Sequence, residues 1–364
     1  MLSLVHGLPL ADEAGQGAQT IPGFLDEVCQ RYGPREAVVM RTGAGRVSWT
    51  YADLRARSVA VARALAARGI GAGGRVGILM ANRPEYLAAM FGIAMAGGVT
   101  VALNTFSTPG ELQQQLAASN VSILLFDTRV ARQDFGAMLA DIDRPASLAH
   151  LVELASVTDE SGALSGFETW AHFLASGEGV SAGEIERRSD MVMPDDIGGI
   201  FFSSGTTSQP KGIVHAQRAF AIQWWRWPRV FAMREPVRSW TGNGLFWSGN
   251  VSMMVGTALA TGGAAILQPT FSANAALEAI AAERVTFLAG RPHQWARVQA
   301  EPAWATADLS SLRYVTKGDL ITEHPTVSTD WTMPQAFGTT ETMTICTAFD
   351  ADTSLADYGG SVGA

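Results

Sequence analysis

Between residues 48 and 126 strand-like and helix-like segments alternate without interruption, and this constrains the fold more than any other feature of the chain. Ser48-Trp49-Thr50-Tyr51 leads into a helix from Ala52 to Arg68, in which Leu54, Val61 and Leu65 mark a buried stripe and the many alanines favour helix. Arg75 to Met80 then reads as a buried strand, Pro84 to Ala96 as a helix and Val99 to Leu103 as a second strand. A helix over Thr108 to Ser119, with Pro109 at its start, and a strand over Val121 to Phe126 repeat the pattern. Such alternation predicts an α/β fold built on mostly parallel sheet. An amphipathic helix over Ile21 to Tyr32 and a short strand over Ala37 to Met40 precede this unit. We expect residues 1–20 to be a flexible terminus and residues 21–364 to form one large α/β unit.

Gly69-Ile70-Gly71-Ala72-Gly73-Gly74 matches the GxGxxG dinucleotide fingerprint letter for letter. That fingerprint needs a strand before the glycines and a helix after them. Here the order is reversed, so the run is read as a helix end and a tight turn. Farther along, residues 128–194 are more polar and less regular, and predict a variable connection across the surface.

Composition narrows the class. Apolar residues make up 47% of the 364 and charged residues 16%, whereas ~25% charged is typical of soluble domains. A large core is therefore easy to assemble. A net charge of -8 argues against a nucleic-acid surface, which needs clustered Lys and Arg. Cys29 and Cys346 are far apart and form neither a CxxC pair nor a disulfide framework, so a reducing, cytoplasmic setting is expected. No charged residue lies between Arg238 and Glu278, yet Gly242, Gly244, Gly249, Gly262, Gly263 and Pro269 break that run into short pieces. A spanning helix needs about 20 continuous apolar residues, so a buried helix and strand, without stable membrane insertion, is the expectation.

Two loops carry the chemistry. Ile200, Phe201 and Phe202 end a buried strand and open into Ser203, Ser204, Gly205, Thr206 and Thr207, followed by Pro210 and Lys211. Hydroxyls and backbone N–H groups in such a loop can wrap a phosphate, and the lysine adds positive charge. The same composition also serves an ordinary surface turn. A second loop, Pro334 to Glu341, offers Thr339, Thr340 and a carboxylate at Glu341. Together the loops suggest a nucleoside triphosphate with magnesium, which prefers carboxylate, water and phosphate oxygens. The common P-loop is excluded because Lys211 precedes Gly212 instead of following it. The six histidines show no zinc spacing, and no GxSxG elbow occurs. Trp224, Trp225, Trp227, Trp240 and Trp247 fall close together, some for the core and others to line a pocket for a bulky apolar group.

The segments SSGTTSQPKG and QAFGTTE resemble the phosphate-binding and magnesium-binding signatures of the adenylate-forming superfamily, which includes acyl-CoA synthetases, nonribosomal-peptide adenylation domains and firefly luciferase. WTYADL, AGGVTVALNTFSTPGEL and LSSLRYVTKGDL are lesser matches, and together the resemblance covers residues 21–364. It implies a large N-terminal adenylation domain of stacked, mostly parallel sheets flanked by helices, with an incomplete barrel subdomain and no small C-terminal domain. It further implies a two-step reaction, in which ATP activates a carboxylic acid as acyl-adenylate and a thiol, commonly coenzyme A, displaces AMP. By resemblance Ser203, Ser204, Gly205, Thr206, Thr207 and Lys211 form the phosphate loop, Thr340 contacts the α-phosphate and Glu341 carries Mg2+. Gly318, Asp319 and Leu320 flank the adenine, while Gln335, Ala336, Phe337, Gly338 and Thr339 wall the nucleotide and acyl sites. Trp224, Phe246, Trp247 and Asn250 join Gly318, Phe337 and Gly338 as expected acid-binding residues. Catalysis is expected to rest on Thr206, Lys211, Thr340 and Glu341.

Four departures from the family pattern stand out. Ser208 replaces a usual glycine, Trp247 in GLFWSG replaces a histidine or other aromatic, Lys317-Gly318-Asp319-Leu320 is an unusual adenine turn, and the piece from Ile321 to Met333 is short for a helix. The segment Ser239 to Gly244 lacks the acidic residue with which amino-acid activators pair the substrate amine. The leading expectation is an acid–thiol ligase acting on a bulky apolar acid, impaired in catalysis without the C-terminal domain. An adenylation domain serving a carrier protein and a non-adenylating acyl- or nucleotide-binding homologue are the alternatives.

Overall fold

A computed structural model describes residues 9, 12–13, 15–158, 164–203, 210–354, 356 and 361. Helix α1 (Ile21–Tyr32) precedes a hairpin of β1 (Glu36–Thr42) and β2 (Gly45–Thr50). The alternating unit follows as α2 (Tyr51–Ala67), β3 (Arg75–Leu79), α3 (Pro84–Met95), β4 (Val99–Ala102), α4 (Pro109–Ser119) and β5 (Ile123–Asp127). These elements start where local chemistry sets them. Thr50 and Asp53 form a reciprocal capping box at the head of α2, and Thr108 and Glu111 form another at α4, whose first residue is Pro109. Gly69, with φ of +78°, carries the chain out of α2, so the glycine run is a helix exit, as its position implies.

A small ribbon of β6 (Arg129–Val130) and β7 (Gln133–Asp134) leads through α5 (Phe135–Asp141) to β8 (His150–Leu154), β9 (Glu168–Thr169), α6 (Trp170–Ala175) and α7 (Ala182–Asp190). This corrects the expectation of a surface connection over 128–194, since β8 pairs parallel with β5 inside the large sheet. Its Glu153 is buried because the Ser165 and Gly166 N–H groups donate to its carboxylate. A charged residue in a five-residue strand hid the apolar pattern.

Next come β10 (Ile197–Ser203), β11 (Lys211–Ala216), α8 (Gln217–Val230), β12 (Arg238–Thr241), α9 (Thr257–Ala260), β13 (Ala264–Leu267), α10 (Ala273–Ala282), β14 (Phe287–Ala289) and α11 (Pro292–Gln299). The uncharged run thus forms a buried helix and strand, the helix beginning with a wide-turned segment over Asn250–Gly256. No helix among the described residues is long and apolar enough to cross a membrane. Leu312 to Thr316 reads in the sequence as a further strand, and the structure corrects this. Only Tyr314 bridges to Phe287, because the Arg313 and Tyr314 N–H groups both turn onto the Thr286 carbonyl.

The strands form a seven-stranded sheet, ordered β11-β10-β4-β3-β5-β8-β9, and a five-stranded sheet, ordered β14-β12-β13-β1-β2. Pairing is parallel throughout except at one edge of each, where β11 and β2 run antiparallel. Strands β4 and β5 are buried at every position, which requires cover on both faces. Helices α2 and α3 pack on each other and touch β1 of one sheet, while α3 also touches β3 and β4 of the other, so a shared helical layer lies between the sheets. Gly92 allows that layer to close, since a Cβ there would stand 2.7 Å from the Ser58 carbonyl oxygen. These are the stacked, mostly parallel sheets flanked by helices that the sequence predicts. Beyond them, β15 (Ala336–Thr339) and β16 (Thr344–Ala348) form a hairpin, and the described residues close no barrel.

Candidate active site

The edge hairpin β10–β11 presents the first loop. Ser203 pairs with Lys211 at its open end, which fixes the lysine, exposed, where the loop returns. Ser204, Gly205, Thr206 and Thr207, together with the departure at Ser208, lie outside the described residues. The second loop is more structured than a plain turn. Thr339 ends β15, a tight helical turn spans Thr340–Thr342, and the Thr339 N–H donates to Thr342 Oγ1 at 3.0 Å. Gly338 is required here because a Cβ would stand 1.5 Å from the Thr344 carbonyl oxygen.

Electrostatics joins the two loops. The Glu341 carboxyl is held below the usual carboxylate range by its own backbone N–H and the Thr339 hydroxyl, with Lys211 and His215 adding attraction. A lone exposed carboxylate suits magnesium, which keeps several waters and takes the rest of its oxygens from phosphate. Among the described residues no cluster of three His, Cys, Asp or Glu could hold a metal by itself. A metal at Glu341 would therefore depend on a phosphate ligand.

His215 is one of the residues around these loops that sequence reasoning missed. It lies on β11, buried, with its ring centroid 6.0 Å from that of Phe201 and 6.4 Å from that of Phe220. Burial pushes its pKa down, against a backbone hydrogen bond at Thr340 and the charge of Glu341, and its Nε2 has no partner among the described residues. The only available signal was its placement four residues after Lys211 on the same strand. Gln223 of α8 was missed too. Its Nε2 donates to the Ile345 carbonyl at 2.7 Å and thereby ties β16 to the helix. Ser252 does the same from the wide-turned segment, donating to the Met343 carbonyl at 3.1 Å.

A cavity of about 700 Å³ is walled by Phe106, Phe246, Trp247 and Phe271, with Asn82 and Arg297 among its polar lining, and among the described residues neither loop contributes to its walls. Trp247 is 37% exposed, whereas Phe246 is buried edge-on against Phe106. Trp224 and Asn250 do not reach the cavity. Trp224 is fully buried against Phe24 and Phe91, its indole N–H donating to the Val251 carbonyl at 3.1 Å. Both ends of the Asn250 amide are used locally, Nδ2 donating to the Gly244 carbonyl and Oδ1 accepting from Thr241. Gly318, with φ of +98°, and Asp319 and Leu320 form a separate exposed turn, held by the Lys317 N–H on the Trp331 carbonyl. Gln335, Ala336 and half-exposed Phe337 line the outer hairpin. None of these six lines the cavity.

The sequence matches the family described as AMP-binding enzyme across residues 25–364. The chain belongs to that family. Among AMP-binding relatives, the acyl-CoA ligase sidI of Aspergillus fumigatus is 30% identical over 291 residues, covering 78% of this chain and 48% of the relative. The indoleacetate–CoA ligase of Aromatoleum aromaticum is 32% identical over 272 residues, covering 75% and 50%. The chain thus spans about half the length of these relatives. Solved structures share its fold. The anthranilate CoA ligase AuaEII in complex with anthranoyl-AMP superposes with a TM-score of 0.75 at 22% identity, over 98% of this chain and 66% of that one. The inhibitor-bound N-terminal domain of FACL13 from Mycobacterium tuberculosis gives 0.74 at 22% identity, over 95% and 82%.

Proposed function

We propose that this chain is the acid-activating part of an acid–thiol ligase, forming an acyl-adenylate from ATP and a bulky apolar carboxylic acid and passing the acyl group to coenzyme A. The observation that carries the reading is the packing of β11, which bears Lys211, against the Thr340–Thr342 turn, which bears Glu341, in a chain that also holds an aromatic-walled cavity. In the first step a carboxylate oxygen of the acid attacks the α-phosphorus of ATP, the bond to the bridging oxygen breaks and pyrophosphate leaves. In the second a thiol sulfur attacks the acyl carbon, loses its proton and releases AMP.

Lys211 and the hydroxyl loop following Ser203 would hold the phosphates, and the Thr340 hydroxyl would meet the α-phosphate. Glu341 would hold Mg2+, which when bound draws negative charge from the phosphate oxygens. Fixed donors aimed at the oxygens where charge develops lower the barrier most. Phe246 and Trp247 would shape the space for the acid, with their large faces favouring a bulky apolar group. The alignments with an acyl-CoA ligase and an indoleacetate–CoA ligase support coenzyme A as acceptor. Isotope exchange between pyrophosphate and ATP across a panel of acids tests the reading. Exchange that depends on a bulky acid upholds it, and no exchange with any acid overturns it.

A further inference from the structure

The segment that places Phe246 and Trp247 is held from the opposite sheet. Leu245 follows β12 of the five-stranded sheet, yet its N–H donates to Asn82 Oδ1 at 2.8 Å and its carbonyl accepts from the Tyr86 hydroxyl at 3.1 Å. Asn82 Nδ2 also donates to the Asn243 carbonyl at 2.9 Å, and the Asn82 N–H donates to the Pro269 carbonyl at 3.3 Å. Asn82 leaves the C-terminal end of β3, and Tyr86 is four residues on, in the first turn of α3. Both side chains are buried, at 2% and 1% exposure. A buried amide uses both its ends only where its partners are fixed, and here the partners are too. Asp127, fully buried, accepts from the Ala81 N–H at 2.8 Å and from the guanidinium of Arg83, so Asn82 is anchored on both flanks. Both backbone polar groups of Leu245 are thus set by two side chains, and the cavity aromatics are the next two residues.

We propose that Asn82 and Tyr86 are specificity-determining positioning residues, which fix how far Phe246 and Trp247 project into the cavity and so which acids fit. Neither needs to touch the reacting atoms. Loosening either hydrogen bond lets the Gly244–Trp247 segment shift outward, opening the cavity to larger acids and weakening its grip on smaller ones. The acid-fit part of this inference rests on the proposed function; the placement of Trp247 does not.

Tyr86→Phe removes one hydroxyl and keeps the ring in the core, and Asn82→Ala removes the amide. Ser311→Ala is the control, because Ser311 donates to the Val285 carbonyl at 2.8 Å, is buried and does not line the cavity. Acrylamide quenching of Trp247, taken in each background as the difference from the Trp247→Phe double variant, reads ring placement with no ligand present. A twofold or greater rise in its quenching constant is expected for Tyr86→Phe and Asn82→Ala, with no rise for Ser311→Ala. In pyrophosphate exchange, the ratio of KM for the smallest to the largest acid should rise at least fivefold in the same two variants, with KM for ATP unchanged. Quenching and acid preference like the parent protein's, alongside a lowered melting temperature, would make the pair merely structural and overturn the proposal. If the parent exchanges with no acid, the proposed function fails, and quenching alone upholds or overturns the placement. Should Asn82→Ala not fold, Tyr86→Phe decides.

Discussion

Glu341 and Trp224 behave oppositely under substitution because one faces solvent and the other fills the core. Glu341 is exposed, and its carboxyl is held below the ordinary range by its own N–H, by Thr339 and by nearby positive charge. Glu341→Ala should leave the melting temperature unchanged and weaken magnesium-dependent ATP binding by roughly tenfold, as calorimetry with and without magnesium would read. Trp224 is fully buried among Phe24, Phe91 and Phe220. Trp224→Ala should cost about 3–5 kcal/mol of stability, measured by urea unfolding, while ATP affinity per folded molecule stays unchanged. Its place in the sequence among four other tryptophans could not show this, because helical spacing does not say which side of α8 meets α1 and α3. Lys211 and Glu341 were legible through their loops. His215 was not, since a single imidazole on a strand has no spacing to betray it and its partners come from β10 and α8.

At the scale of elements, the alternating unit was legible because its ends are written in local chemistry. The capping boxes at Thr50 and Thr108, Pro109 and the Gly69 exit all act within a few residues of where they stand. Thr50→Ala should therefore cost about 1 kcal/mol, visible as a lowered urea midpoint. What the sequence hid depends on distant partners. β8 carries Glu153, tolerable only because the 165–166 backbone returns to it, and the Leu312 run loses its strand because Thr286 takes its N–H groups. The hold of Asn82 on Asn243 spans 161 residues of sequence and leaves no local trace.

Over the whole molecule, the five-stranded sheet is fastened by an ionic cluster with a definite pH signature. Glu36 accepts from Ser48, Arg46 and Arg238, while Glu283 pairs with Arg41, Arg46 and Arg238. Burial pushes the Glu36 carboxyl up, but these three donors outweigh it and hold it at about 2, against an ordinary 4.5. Burial likewise opposes the arginines at Glu283, which remains below its ordinary range. A carboxyl lowered in the folded state releases its proton more readily there than in the unfolded chain. Its stabilisation is complete above pH 4.5 and is lost as pH falls toward 2. Urea midpoints measured down that window should fall, and Glu36→Gln should flatten part of the decline.

Both sheets and their shared helical layer carry the edge hairpin β10–β11, which packs against the Thr340–Thr342 turn. The most direct test of that arrangement as an acid-activating site is magnesium-dependent exchange of labelled pyrophosphate into ATP, in the parent protein and in Glu341→Ala. Exchange that requires a bulky apolar acid and falls at least tenfold in the variant is the predicted result; absence of exchange with every acid, or equal exchange in both proteins, would contradict it.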